Sequence, residues 1–164
     1  MGLPEFNDLD EDTARERLAA CLPVPRWVQE VLDGRPYAGW PVLEQHAAAA
    51  AAVLSDDELD AALAGHPRIG ERPSSPEHEA ELSTREQSGV DVADPEVAAA
   101  LADGNAAYES RFDRVFIIRA AGRSAPEVLE ELRRRLRNDE ATERRETVHE
   151  LRDIALLRLR EVAT

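Results

Sequence analysis

Ser55-Asp56-Asp57-Glu58-Leu59-Asp60-Ala61-Ala62-Leu63-Ala64-Gly65-His66-Pro67-Arg68-Ile69-Gly70 states the building rule of this chain in one stretch. Ser55 followed by Glu58 is a capping box, in which the hydroxyl accepts from the backbone of the first turn and the carboxylate reaches back to the cap. The helix so opened runs to Ala64. Gly65 stops it, because glycine takes the left-handed conformation that closes a helix without steric cost. His66 precedes a proline and is pushed out of the helical region. Its imidazole therefore projects from a break just past a helix C-terminus, where the dipole favours the protonated ring. Two roles fit that position: capping the last carbonyls, or acting as a general acid near neutral pH.

Outward from this stretch the same grammar repeats. Asp12 to Leu22 places Ala14, Leu18 and Cys21/Leu22 at helical spacing. The segment after Pro25 puts Trp27, Val28, Val31 and Leu32 on one face and stops at Asp33-Gly34. Leu43 to Leu54 is rich in alanine, the strongest helix former. Asp94-Pro95-Glu96 opens a helix with proline just inside its start, continuing towards Tyr108. Ser124-Ala125-Pro126-Glu127 caps a helix bearing Val128, Leu129, Leu132 and Leu136. Asn138 or Asp139 begins the longest one, whose stripe is Val148, Leu151, Ile154, Ala155 and Leu159. One stretch departs. Val115-Phe116-Ile117-Ile118 is apolar and β-favouring, too short for a helix of its own, and Ala120-Ala121-Gly122-Arg123 follows as a turn. The reading is an all-α, single-domain compact multi-helix bundle over residues 1–164, with a short extended apolar segment near 112–118.

Composition narrows the function classes. A chain of 164 residues is large enough for one buried core. Its net charge of −14 argues against nucleic acid and against an anionic membrane surface. No apolar run approaches a membrane span, and the N-terminus lacks a basic region followed by an apolar one, so a cytoplasmic protein is expected. The single cysteine, Cys21, removes thiolate metal clusters and reads as a small buried hydrophobe. Every basic residue is arginine. Without lysine there is no Schiff base, and pyridoxal-phosphate chemistry is ruled out. Neither a Gly-rich phosphate loop nor HExxH is present, and His46, His78 and His149 do not converge on a ligand spacing. No cofactor and no metal are expected.

A second motif stands downstream, Ser83-Thr84-Arg85-Glu86-Gln87-Ser88-Gly89. It sets a hydroxyl, a carboxylate and a carboxamide within about one helical turn. Glu86 fits a capping box with Ser83, which would make it a helix cap. Adjacent carboxylate and carboxamide beside a glycine also suit an amide-rich ligand.

In this order, HPRIG, SxxEQSG and FxxxFII resemble the 2-oxo-4-hydroxy-4-carboxy-5-ureidoimidazoline (OHCU) decarboxylases, which act last in converting urate to (S)-allantoin. Phe6-Asn7, Trp27-Val28, Arg35-Pro36 and the helix from Asn138 to Leu159 extend the likeness over essentially the whole chain. The resemblance implies a helical bundle, a homodimer, a small ureide substrate and no cofactor. It implies His66 as proton donor; a catalytic role for Glu86, taking a hydrogen bond or a proton from the ring hydroxyl, is expected from its own chemistry. Pro67, Ser83, Glu86 and Gln87 fall on the substrate-binding positions, as do Ile118, Arg119, Ala120, Ala121 and Gly122, partly through backbone groups. Many members carry an arginine where this chain has Ala121, and here Arg119 stands earlier. Two other readings suit the same scaffold: a non-catalytic helical interaction protein, and a hydrolase or isomerase of another ureide.

Overall fold

The computed structural model describes residues 2–70, 90 and 93–163. Among them there are helices and no strand. In chain order these are α1 (Leu3–Asp8), α2 (Glu11–Cys21), α3 (Pro25–Asp33), α4 (Trp40–Ala51), α5 (Asp56–Ala64), α6 (Pro95–Phe112), α7 (Ala125–Arg135) and α8 (Glu140–Ala163). They gather into two compact units, one of residues 1–62 with 151–164 and one of residues 63–150.

In the first unit the sequence rules hold closely. Ser55 and Glu58 form both bonds of their capping box, at 2.9 and 3.2 Å. Glu58 also takes a bidentate bond from Arg26 at 2.7 and 3.1 Å, and this holds its carboxyl below the usual carboxylate range. Trp27, Val28, Val31 and Leu32 are buried on one face of α3, and the Trp27 indole donates to the Ala47 carbonyl at 2.9 Å. A β-carbon on Gly34 would lie 2.2 Å from the Tyr37 hydroxyl, so this position accepts only glycine while Tyr37 bonds Val31. Cys21 is buried, as expected of a small hydrophobe.

Two elements differ from the sequence reading. α4 begins at Trp40, before the alanine run, because Pro41 occupies its first turn and Gly39 precedes it in extended backbone. α1 was not expected at all. Pro4 sits in its first turn, and Glu5 accepts from the Gly2 N–H at 2.9 Å. Asn7 then exchanges two 2.9 Å bonds with the Tyr37 backbone, imitating a strand pairing with a side-chain amide.

The second unit contains α6, α7 and the start of α8. Asp94, Ser124 and Asp139 cap these helices, each accepting a backbone N–H from the first turn. α6 runs past Tyr108 to Phe112 and ends on Asp113 with φ of 54°. α6 and α7 pack closely at Gly104, where a β-carbon would come within 2.6 Å of a Leu132 methyl. Val115 to Ala120 is neither helix nor strand, as the apolar β-favouring run suggested.

Candidate active site

The first candidate segment begins where α5 ends. The His66 N–H turns back to the Leu63 carbonyl at 3.1 Å, and the His66 and Pro67 side chains are half-buried. The following residues are clamped onto α6. The Arg68 guanidinium makes a bidentate pair with Glu109 at 2.5 and 3.0 Å. The buried Asn105 amide donates to the Ile69 carbonyl at 3.3 Å, while the Ile69 side chain enters the core. Asn105 and Glu109 stand one helical turn apart, so a single face of α6 holds the break that carries His66. Gly70 leaves the segment at φ of 91°, a backbone that disfavours any β-carbon. Between Arg68–Gly70 and the Ala98, Ala102 and Ala106 face of α6 lies a cleft of about 320 Å³. That is the lower end of small-ligand pockets.

The second candidate segment is Ile118 to Gly122. Ile118 and Ala120 are buried in the same apolar cluster as Ile69, so both segments are anchored in one core. Arg119 is exposed, Ala121 half-buried and Gly122 exposed. Gly122 has φ of 79° with open space around it, and its turn is closed by Arg123 N–H to the Ala120 carbonyl at 3.0 Å. Upstream, the Phe116 ring is committed to the core, 5.2 Å from Tyr108 and 4.8 Å from the Arg135 guanidinium.

Behind this segment lies a network that sequence reasoning missed. Arg135 and Glu143 are both fully buried and pair at 2.5 and 2.8 Å. Tyr108 donates to the same carboxylate at 2.5 Å and Asn138 donates at 2.9 Å, so its lone pairs are well satisfied. Burial, with the Glu143 bond second, pushes the Tyr108 phenol up to about 12, which keeps it neutral and donating. The remaining Arg135 nitrogen donates to the Ile117 carbonyl at 2.6 Å. A sequence signal for these residues existed. Asn105, Tyr108 and Phe112 share one face of α6. Arg135 continues the Val128–Leu132 stripe of α7, and Glu143–Thr147 extends the Leu151–Ile154 stripe of α8. Polar residues at core-facing positions mark a buried network.

Ser83, Glu86, Gln87, His78 and the proline-rich 73–76 stretch lie outside the described residues. His46 stacks edge-on against Tyr37 at 5.8 Å, a packing role, and His149 is exposed on α8. Among the described residues no group of His, Cys, Asp or Glu is arranged to hold a metal ion, and no helix is long and apolar enough to cross a membrane.

Comparison with known proteins bears on this arrangement. A family model described as OHCU decarboxylase matches residues 7–160. The uric acid degradation bifunctional protein of Bacillus sp. (strain TB-90) is 23% identical over 163 residues; the match covers 99% of this chain and 32% of that protein, so the chain spans about a third of its relative. A crystal structure of an OHCU decarboxylase, determined in the presence of (S)-allantoin, superposes with a TM-score of 0.73 at 19% identity. It covers 94% of this chain and 98% of the other, and at that identity it speaks for the fold.

Proposed function

The chain belongs to the OHCU decarboxylase family, and from that premise we propose that it decarboxylates 2-oxo-4-hydroxy-4-carboxy-5-ureidoimidazoline to (S)-allantoin without a cofactor. The observation that carries the proposal is the clamped His66 segment, anchored in the same core as Ile118 to Gly122. The substrate holds a carboxylate and a hydroxyl on one ring carbon, beside a ring C=N bond. When the bond to CO2 breaks, its electron pair forms a C=C bond with the ureido-bearing carbon, and the C=N electrons move to the ring nitrogen, which takes up a proton from solvent. The imine is thus an internal electron sink, consistent with a chain that has no lysine.

The protein's tasks are then to hold the ring and to direct one proton. Glu86 accepts the proton of the ring hydroxyl as the carbonyl forms. Protonated His66 delivers a proton to one face of the ureido-bearing carbon, giving the S product. Pro67, Ser83, Gln87 and the Ile118–Gly122 segment, with Arg119, Ala120 and Ala121, hold the ureido and amide groups. Ile69 supplies an apolar wall near the leaving carboxylate. We further propose a homodimer working in the cytoplasm, the first checked by sedimentation and the second by fractionation.

The test generates the unstable substrate from urate with urate oxidase and the hydrolase that follows it, then monitors circular dichroism as the protein is added. Rapid growth of the (S)-allantoin signal supports the proposal. A rate and handedness equal to the spontaneous reaction, which yields racemic allantoin, would overturn it.

A further inference from the structure

α4 is covered on one side only. Leu43, Ala47, Ala50 and Ala51 turn inward, and the Trp27 indole of α3 bonds the Ala47 carbonyl. The other side is exposed and carries Val42, Gln45, His46, Ala49, Ala52 and Val53. Helical geometry continues past Ala51, since the Ala52 N–H still reaches the Ala48 carbonyl at 3.0 Å. Val42, His46, Ala49 and Val53 follow one another at steps of four, three and four residues, the spacing of a seam between paired helices. Val42 is 51% and Val53 68% exposed, and among the described residues they are the large hydrophobic side chains left in solvent. Charge says what covers them. The chain carries −14, so two copies repel wherever acidic surface meets acidic surface. Between Glu44 and Asp56 there is no Asp, Glu or Arg, the longest uncharged run in the sequence. This face can therefore meet its own image without that repulsion.

We infer that the outer face of α4 is a homodimer interface, on which a second copy of this chain pairs antiparallel through Val42, His46, Ala49 and Val53. The stripe is self-complementary. Across a two-fold axis midway between His46 and Ala49, Val42 of each copy meets Val53 of the other, and His46 meets Ala49. Alanine on the seam lets the helix axes approach to about 8–10 Å. The same register sets Asp56 of one copy beside Gly39 of the other. Gly39 precedes α4, and no side chain caps that end. A carboxylate near a helix N-terminus is favourable, so the acidic start of α5 meets the positive end of the second copy's α4. A parallel pairing would instead set the two acidic starts of α5 against each other. The inference rests on the proposed reading that the protein is a homodimer, and it names the face that makes it one.

The experiment measures the dimer dissociation constant by sedimentation over a concentration series for wild type, Ala49→Glu and Ala141→Glu. Both sites are exposed on helices, where glutamate is well tolerated, and both variants change the net charge equally. Ala49→Glu sets two like charges into the seam and is expected to weaken the dimer at least about 100-fold, while Ala141→Glu leaves it within about threefold of wild type. Added salt should tighten the wild-type dimer, because it screens the repulsion between two acidic copies; an ion-paired interface would loosen. Oxidative cross-linking tests the register and stands even if Ala49→Glu fails to fold. A mixture of Val42→Cys and Val53→Cys proteins should form a disulfide-linked heterodimer. Val42→Cys alone should not, because its two copies lie about 16 Å apart in the antiparallel pair. The native Cys21 is buried and takes no part. A wild-type dimer that Ala49→Glu leaves intact, that loosens with salt, or whose Val42→Cys form links to itself overturns this inference alone. A wild-type protein that stays monomeric at every concentration overturns the homodimer reading, and this inference with it.

Discussion

The two candidate segments are both irregular backbone, yet they are held by different physics. The His66–Gly70 break is fastened at the surface, by an Arg68–Glu109 pair whose arginine side chain is 45% exposed and by one long amide bond from Asn105. The Val115–Ala120 segment is fastened from inside, by an Arg135–Glu143 pair with no exposure at all, wired to Tyr108, Thr147 and Asn138. Exposed ion pairs contribute about 0–1 kcal/mol because water and salt screen them. Removing one partner of a buried pair costs about 3–5 kcal/mol, because the other charge is left uncompensated. The Val115–Ala120 segment is therefore built into the stability of the fold. The His66 break rides on a fastening that can yield at little cost to the rest.

The largest expected effect breaks the inner fastening. Glu143→Ala leaves Arg135 buried without its counter-ion and should destabilise the protein by about 3–5 kcal/mol in urea unfolding. A loss below about 1 kcal/mol would show that the network is better solvated than its burial indicates. Next comes Asn105→Leu, which keeps the volume and strands the Ile69 carbonyl. A loss of about 1–3 kcal/mol is expected, together with a fall in kcat as the His66 segment loosens. If kcat is untouched, Asn105 has no part in seating His66.

A pH measurement sharpens the contrast further. The Tyr108 phenol is raised in the folded protein to about 12 from the ordinary value of 10, first by burial and then by its bond to Glu143. A raised folded value means that the neutral phenol is favoured by folding. Its contribution is fully present below pH 10 and is lost as pH rises towards about 12. Tyr37 is also raised to about 12, by burial, and adds to the same limb. Tyr108→Phe should reduce the alkaline loss of stability without removing it, as read from melting temperatures between neutral and strongly alkaline pH. The smallest effect belongs to Glu109→Gln, which breaks the outer pair. About 0.2–1 kcal/mol is expected, shrinking with added salt. An effect as large as that of Glu143→Ala would erase the distinction between the two segments.

What the sequence revealed and concealed follows the same division. Local chemistry was legible: the Ser55 and Ser124 capping boxes, the proline start of α6 and the irregular apolar run all depend on near neighbours, and α5 ends at Ala64 as read, although Gly65 does not take the left-handed backbone expected of it. α1 was missed because its stability comes from Asn7 bonding Tyr37, far along the chain. The clamp and the buried network were missed for the same reason. Arg68 meets Glu109 across 41 positions, and Arg135 is one of three successive arginines in the last turn of α7. There a helix-dipole argument treats Arg133, Arg134 and Arg135 alike. Only the register of the Val128–Leu132 stripe shows which one turns inward. Of the candidate site, His66 and Pro67 were legible as a helix break, and Ile118 to Gly122 as a turn after an apolar run. Their roles came from the likeness to a family, because a proton donor and a helix-capping histidine look the same in one sequence.

The central claim is that His66, held by its clamp on α6, gives the proton that decides the product's handedness. The most direct test is the circular-dichroism time course of allantoin formation for wild type and His66→Asn at equal concentrations of folded protein. The account predicts fast (S)-allantoin growth for wild type and a loss of about 10²–10⁴-fold in the variant, the usual span for general acid–base catalysis. A variant that keeps full rate and full handedness would contradict it.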